Sequence, residues 1–239
     1  MHIEVIANIG EARSDEYLNK TVIVVDVLRA TSTIITALMN GCREVIPVET
    51  VIKAKECARR GDLLGGERYC KKIPGFDLGN SPIEYTREAV EGRRIILTTT
   101  NGTRGIQKAI KADHVLAGAL LNGRAAAAAA IELKRDTVIV CAGTQDVFSL
   151  EDGLCAGLLL DEIASQLGEA SMQTNDFGLA MRSCYHESKD RLLDTILASS
   201  NGKKMKKSGF LADVELCAQC NLFDCVPILE QDHMIPYLR

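Results

Sequence analysis

A short apolar run at residues 22–25 ends in a lone carboxylate, Asp26, and Arg29, Thr31, Ser32 and Thr33 follow where a helix should begin. A carboxylate at a strand tip suits a hard cation or a nucleophilic role, whereas helix-start amides, hydroxyls and a guanidinium suit an anion. Together they point to a phosphate-like group beside Mg2+. Ser, Thr and Asp are also ordinary helix caps, so a buried strand and a capped helix would account for the same residues. A second cluster, Thr98-Thr99-Thr100-Asn101-Gly102-Thr103, offers hydroxyls and free amides to an anion, and its glycine allows close backbone approach. Gly65-Gly66-Glu67-Arg68 adds a carboxylate and a second arginine. Cys141-Ala142-Gly143-Thr144-Gln145-Asp146 is followed closely by Ser149-Leu150-Glu151-Asp152. The candidate metal ligands are Asp26, Glu67, Asp77, Glu151 and Asp152, more than Mg2+ needs alongside water and substrate oxygens. Glu151 and Asp152 are equally the first-turn acids that a helix dipole favours, and Asp77 sits among turn residues.

These clusters can meet only if the elements between them bring them to one rim. Apolar runs at 3–7, 21–27, 44–48, 94–98, 114–119 and 136–141 read as strands, several of them nearly all Val, Ile or Leu, as in strands buried on both faces. Helical patterns at 31–39, 51–60, 103–111, 123–134 and 150–166 alternate with them. The alternation predicts an α/β fold, a three-layer α/β/α sandwich with a largely parallel or mixed sheet. One domain over 1–239 is expected, and two lobes with a break near 122–135 stay open. In parallel sheets ligands bind beyond the carboxyl ends of the strands, where all four clusters would fall. Residues 71–82 read as a structured loop, and the Lys/Ser/Gly-rich stretch 199–209 as a flexible, solvated connection.

Composition narrows the function further. The 239 residues are 46% hydrophobic, 25% charged and 4% aromatic, with no Trp and a formal net charge of −4. Scarce aromatics and no basic block argue against a nucleic-acid partner. No apolar run approaches a membrane span, and the N-terminus lacks a signal-peptide pattern, so no membrane association and a cytoplasmic protein are expected. Nine dispersed cysteines in a chain of this length read as reduced thiols. Cys217, Cys220 and Cys225 form a C-x2-C-x4-C pattern without an evident fourth ligand, and the four histidines have no metal-ligand spacing. No Walker A loop, dinucleotide fingerprint or Gly-x-Ser-x-Gly elbow occurs. The Asp-x-Asp pair of haloacid-dehalogenase phosphatases is broken by Leu28.

Five segments in order carry a family resemblance: Val25-Asp26-Val27-Leu28-Arg29-Ala30-Thr31-Ser32-Thr33, Gly65-Gly66-Glu67-Arg68, Gly75-Phe76-Asp77-Leu78-Gly79-Asn80-Ser81-Pro82, Thr98-Thr99-Thr100-Asn101-Gly102-Thr103 and Ser149-Leu150-Glu151-Asp152. The series resembles the 2-phosphosulfolactate phosphatase family. The resemblance implies a Mg2+-dependent phosphatase that hydrolyses 2-phosphosulfolactate, or related phosphate esters of 2-hydroxycarboxylic acids, to 3-sulfolactate and phosphate, a step towards coenzyme M. Asp26, Arg29, Glu67 and Asp152 are the expected catalytic residues, with Asp26, Glu67, Glu151 and Asp152 as metal ligands. Thr31, Ser32, Arg68, Asn80, Ser81, Thr100, Asn101, Gly102 and Thr103 are the expected substrate contacts. Asp26 stands either as a metal ligand or as a nucleophile that forms an aspartyl phosphate. The expected partner is a small anionic phosphate ester, and a homo-oligomer is compatible with the sequence. The alternatives are a non-catalytic anion-binding or regulatory protein of the same fold, and a phosphotransferase with an acceptor other than water.

Overall fold

The computed structural model describes residues 1–237. The strand Lys20–Val25 (β2, after His2–Ile6, β1) shows why the chain forms layers. Side chains alternate across a strand, and both faces of this one are dry. Ile23 and Val25 pack with Leu154, Leu158 and Leu159 of a long helix, whereas Val22 and Val24 pack with Ile34, Ala37, Ile106 and Ala109 from the opposite side. Two apolar cores on the two faces of one sheet make the fold three-layer α/β/α.

In chain order the remaining strands are Glu44–Pro47 (β3), Leu63–Arg68 (β4), Lys71–Lys72 (β5), Arg94–Thr98 (β6), His114–Gly118 (β7), Asp136–Cys141 (β8), Gln173–Thr174 (β9), Pro227–Glu230 (β10) and His233–Pro236 (β11). The helices used below are Ala30–Met39 (α1), Val51–Cys57 (α2), Arg87–Val90 (α3), Gly102–Lys108 (α4), Gly123–Glu132 (α5), Leu150–Leu167 (α6), Asp176–Ser188 (α7), Leu192–Ala198 (α8), Ser200–Lys207 (α9) and Leu211–Cys217 (α10).

The strands form one mixed sheet in the order β5-β4-β6-β3-β11-β10-β7-β2-β8-β1-β9. It consists of two parallel blocks. β4, β6 and β3 form one, and β7, β2, β8, β1 and β9 the other. The antiparallel hairpin β10–β11 lies between them, held at its two seams by the single pairings Ile228↔Leu116 and Met234↔Val45. Three antiparallel steps set the blocks head to tail, yet the carboxyl ends of both line one cavity. Sheet twist reconciles the two observations. Five steps separate β6 from β2, and at about 20–25° each they accumulate roughly 100–125°, enough to swing the two sets of carboxyl ends together.

The C-terminal third differs from the expectation of a flexible connection at 199–209. That stretch is α9, capped by Ser199, whose Oγ accepts from the Gly202 amide at 3.0 Å. A Cβ at Gly202 would lie 1.9 Å from the Ile196 carbonyl oxygen, so the glycine lets α9 fold tightly back on α8. Met205 anchors α9 to the core, and its lysines are exposed. At 122–135 the chain forms α5, whose buried alanines pack closely on α6. No helix among the described residues is long and apolar enough to cross a membrane.

Candidate active site

Asp26 lies just past the end of β2 and is 7% exposed. Its Oδ1 accepts from the Ala30 amide at 3.1 Å, so the carboxylate itself sits at the entry to α1. Thr31 turns back on the same residue: its Oγ1 receives the Asp26 amide at 3.0 Å and donates to the Asp26 carbonyl at 2.9 Å. Ser32 likewise donates to the Val27 carbonyl at 2.8 Å. Both hydroxyls therefore shape the turn rather than face the cavity. Burial, and then the nearby charges of Glu67 and Glu151, raise the Asp26 carboxyl to about 7, against the lowering pull of the Ala30 and Gly102 amides.

Gly102 opens α4 against this carboxylate. A Cβ there would lie 2.5 Å from the Ala30 Cβ and 2.6 Å from Asp26 Oδ2, so the approach requires glycine. Thr99 and Thr103 clamp the same turn. The Thr103 amide donates to Thr99 Oγ1, and the Thr99 amide to Thr103 Oγ1, both at 3.2 Å. Glu67, at the end of β4, fixes Thr100 beside them. Its Oε1 accepts from the Thr100 amide at 2.9 Å and from Thr100 Oγ1 at 2.8 Å, while Oε2 accepts from the Cys70 amide at 2.7 Å.

These elements enclose an inner cavity of about 60 Å3, lined by Asp26, Glu67, Asn80, Thr99, Thr100 and Asn101 together with Arg29, Thr144, Gln145, Asn201 and Lys204. Asn80 is buried, and its side-chain oxygen has no hydrogen-bond partner among the described residues. The amide group at that position can turn either its oxygen or its NH2 to a ligand.

The other expected site residues lie at varying distances from this cavity. Arg29 lines it, but its guanidinium pairs with Asp213 of α10 and stacks 4.2 Å above the Phe210 ring. Ser81 donates to the other oxygen of Asp213 at 2.7 Å. Arg68 does not line the cavity; it donates to the Glu67 and Glu49 carbonyls at 2.7 and 2.8 Å and to Thr98 Oγ1 at 2.8 Å. Asp77 accepts from the Leu64 amide at 2.8 Å and holds its turn. Asp152 brackets two strand ends, accepting from the Val27 amide at 2.8 Å and the Gly143 amide at 3.0 Å. Glu151 accepts from Asn201 Nδ2 at 2.7 Å and faces a wider neighbouring cavity of about 610 Å3. Burial raises both carboxyls above the usual range, Asp152 further because Glu151 and Asp26 face it.

The four carboxylates expected to bind metal thus do not form a protein cage. Among the described residues no three His, Cys, Asp or Glu side chains are grouped to hold one ion, and the cysteines, Cys217, Cys220 and Cys225 included, are free. The donor chemistry nonetheless fits Mg2+. Asp26 and Glu67 are oxygen donors that line one cavity, the charge of Glu67 helps raise the Asp26 carboxyl, and Mg2+ keeps water and phosphate oxygens for the rest of its shell.

The C-terminal helices supply what local motifs could not signal. Asp213, Asn201 and Lys204 reach the β2 tip from more than 170 residues away and carry no motif of their own.

The model of one protein family, 2-phosphosulpholactate phosphatase, matches residues 8–232. The chain belongs to this family. A relative from Clostridium tetani, named probable 2-phosphosulfolactate phosphatase, is 38% identical over 230 residues, covering 95% of this chain and 97% of its own. Relatives of the same name from Symbiobacterium thermophilum and Caldanaerobacter subterraneus subsp. tengcongensis are 41% and 42% identical, the first covering 93% of this chain and 96% of its own, the second 88% of each. Membership in the 2-phosphosulpholactate phosphatase family makes the chain a phosphoric monoester hydrolase.

Proposed function

We propose that the chain hydrolyses 2-phosphosulfolactate, or a closely related phosphate ester of a 2-hydroxycarboxylic acid, in a Mg2+-dependent reaction. The observation that carries this reading is the buried Asp26 carboxylate at the wall of a small cavity whose other walls are the Thr99–Asn101 turn and the Asn80 amide. The phosphoryl group sits in the inner cavity. The Thr99-Thr100-Asn101 turn positions its equatorial oxygens, and Glu67 keeps that turn from shifting. Water attacks phosphorus in line, the ester P–O bond breaks, and phosphate and the 2-hydroxy acid leave. Asp26 and Glu67 would hold Mg2+, which supplies neutralisation of charge on the phosphoryl oxygens. Asp26 gains from that charge, because a cation draws a raised carboxyl back towards its ionised form. The net charge of −4 argues against a nucleic-acid partner.

The test is phosphate release from 2-phosphosulfolactate and 2-phospholactate with Mg2+ and then with EDTA. Turnover that EDTA abolishes and Mg2+ restores is expected. Binding without turnover would replace this reading with a non-catalytic anion-binding protein, and release only with an added acceptor would make it a phosphotransferase.

Gly102→Ala isolates the approach of α4 to Asp26. The added methyl must displace either Ala30 or the carboxylate, so kcat/KM should fall at least about tenfold, since small misplacements at a reacting centre have large effects. Activity within twofold of the parent, with an unchanged circular dichroism spectrum, would show that this close approach does not set the position of Asp26.

A further inference from the structure

The charges lining the inner cavity do not suit a substrate that carries an acidic group beside its phosphate unless one more cation takes part. Asp26 and Glu67 contribute negative charge, and Arg29 is matched by Asp213. Arg68 is turned away onto two carbonyls and a hydroxyl. Lys204 of α9 is different. It lines both the inner cavity and the wider cavity beside it, and its ammonium has no ion pair or hydrogen bond among the described residues. The two cavities share one wall, made of Thr144, Gln145, Asn201 and Lys204. Asn201 stands one helical turn before Lys204, and its side-chain NH2 is occupied by Glu151, so it fixes the wall and leaves the cationic role to Lys204.

We propose that Lys204 determines specificity by binding an acidic group of the substrate other than its phosphate, the carboxylate or the sulfonate, where the inner cavity opens into the wider one. The inference rests on the phosphatase reading for the identity of the ligand, but not on turnover. The phosphoryl end occupies the narrow compartment with Asp26 and the Thr99-Thr100-Asn101 turn. The acid tail extends past the shared wall to an ammonium that no carboxylate among the described residues neutralises. Lysine suits this place because a compact point charge on a flexible stem accepts either a planar carboxylate or a tetrahedral sulfonate.

Two non-hydrolysable probes test the proposal, each measured by calorimetry in Mg2+ buffer. 2-Methyl-3-phosphonopropanoate carries the phosphonate and the carboxylate, and 2-methylpropylphosphonate replaces the carboxylate with a methyl group. Wild-type protein should bind the first about tenfold more tightly than the second. Lys204→Gln should remove most of that difference while leaving the affinity for 2-methylpropylphosphonate within about twofold. Lys203→Gln, an exposed change on the neighbouring residue, should preserve it. Equal weakening of both probes in Lys204→Gln would assign the lysine to the phosphoryl group and overturn the proposal. An undiminished preference in that variant, or no preference in wild type, would overturn it too. Loss of hydrolysis with the carboxylate preference intact would count against the phosphatase reading alone.

Discussion

Asp26→Asn should lower kcat on a phosphate ester by about three orders of magnitude or more while leaving the fold in place. Asparagine keeps the side-chain oxygen that accepts from the Ala30 amide, so the turn into α1 survives. What disappears is the only property the buried position does not supply by itself, a full negative charge facing the phosphoryl group. Losses of this size are usual when a group acting in the transition state is removed. The measurement is steady-state hydrolysis of 2-phospholactate beside a thermal melt of the same sample. Near-normal turnover would remove Asp26 from the centre of the site, whether as metal ligand or as nucleophile.

The same substitution has a signature in stability, and its sign follows from proton binding. Burial holds the Asp26 carboxyl at about 7 in the native protein, against an ordinary value of 3.8. Between those values the folded chain keeps a proton that the unfolded chain has released, so stability without Mg2+ falls as pH rises from about 4 to about 7. Asp152 and Glu151 are raised as well and act in the same direction. Asp26→Asn should therefore flatten the fall without abolishing it. At pH 7.5 in EDTA the variant should melt above the parent, by roughly 5 °C for about 2 kcal/mol in a chain of this size. A lower melting temperature would mean that the charged form is favoured in the fold by contacts other than the amides described.

Arg29→Ala should destabilise the protein by about 3–5 kcal/mol, because it strands a carboxylate in the interior. Arg29 and Asp213 are 3% and 4% exposed at their side chains. Removing the guanidinium leaves Asp213 with the Ser81 hydroxyl as its one side-chain partner among the described residues, and it also strips the cation from the face of Phe210. Arg29→Met combined with Asp213→Asn should recover more than half of the loss, since the amide retains an acceptor for Ser81 and no unpaired charge remains. Urea denaturation with an unchanged m-value is the measurement. A single-variant loss below about 1 kcal/mol would show that water reaches the pair.

The parts of the fold legible in the sequence are those with strong local pattern. The expected strands at 94–98 and 136–141 coincide with β6 and β8, because uninterrupted β-branched runs buried on both faces admit little else. β4 was hidden by Gly65 and Gly66, which carry no strand signal. α9 shows only Met205 as a buried apolar residue among lysines, so no amphipathic stripe announces it. β10 and β11 are four residues each and begin or end in proline. At the site, Asp26, Glu67 and the threonine turn stood out because their residue types cluster locally. The engagement of Arg29 by Asp213 did not, because it depends on two residues 184 positions apart. An arginine beside a candidate carboxylate gives no indication, by itself, of which way its guanidinium points.

The place of β10–β11 in the sheet has a consequence for the order in which the molecule is made. The hairpin is the seam between the two parallel blocks, yet both blocks are translated before it. Until residues 227–236 leave the ribosome, β3 and β7 each present an unpaired backbone edge, the kind of surface that recruits strands from other chains. The cavity draws one wall from each block, so it is completed only when this later hairpin pairs with both. A nascent chain can build both halves of the sheet early, but it becomes an enzyme only once this hairpin has joined them.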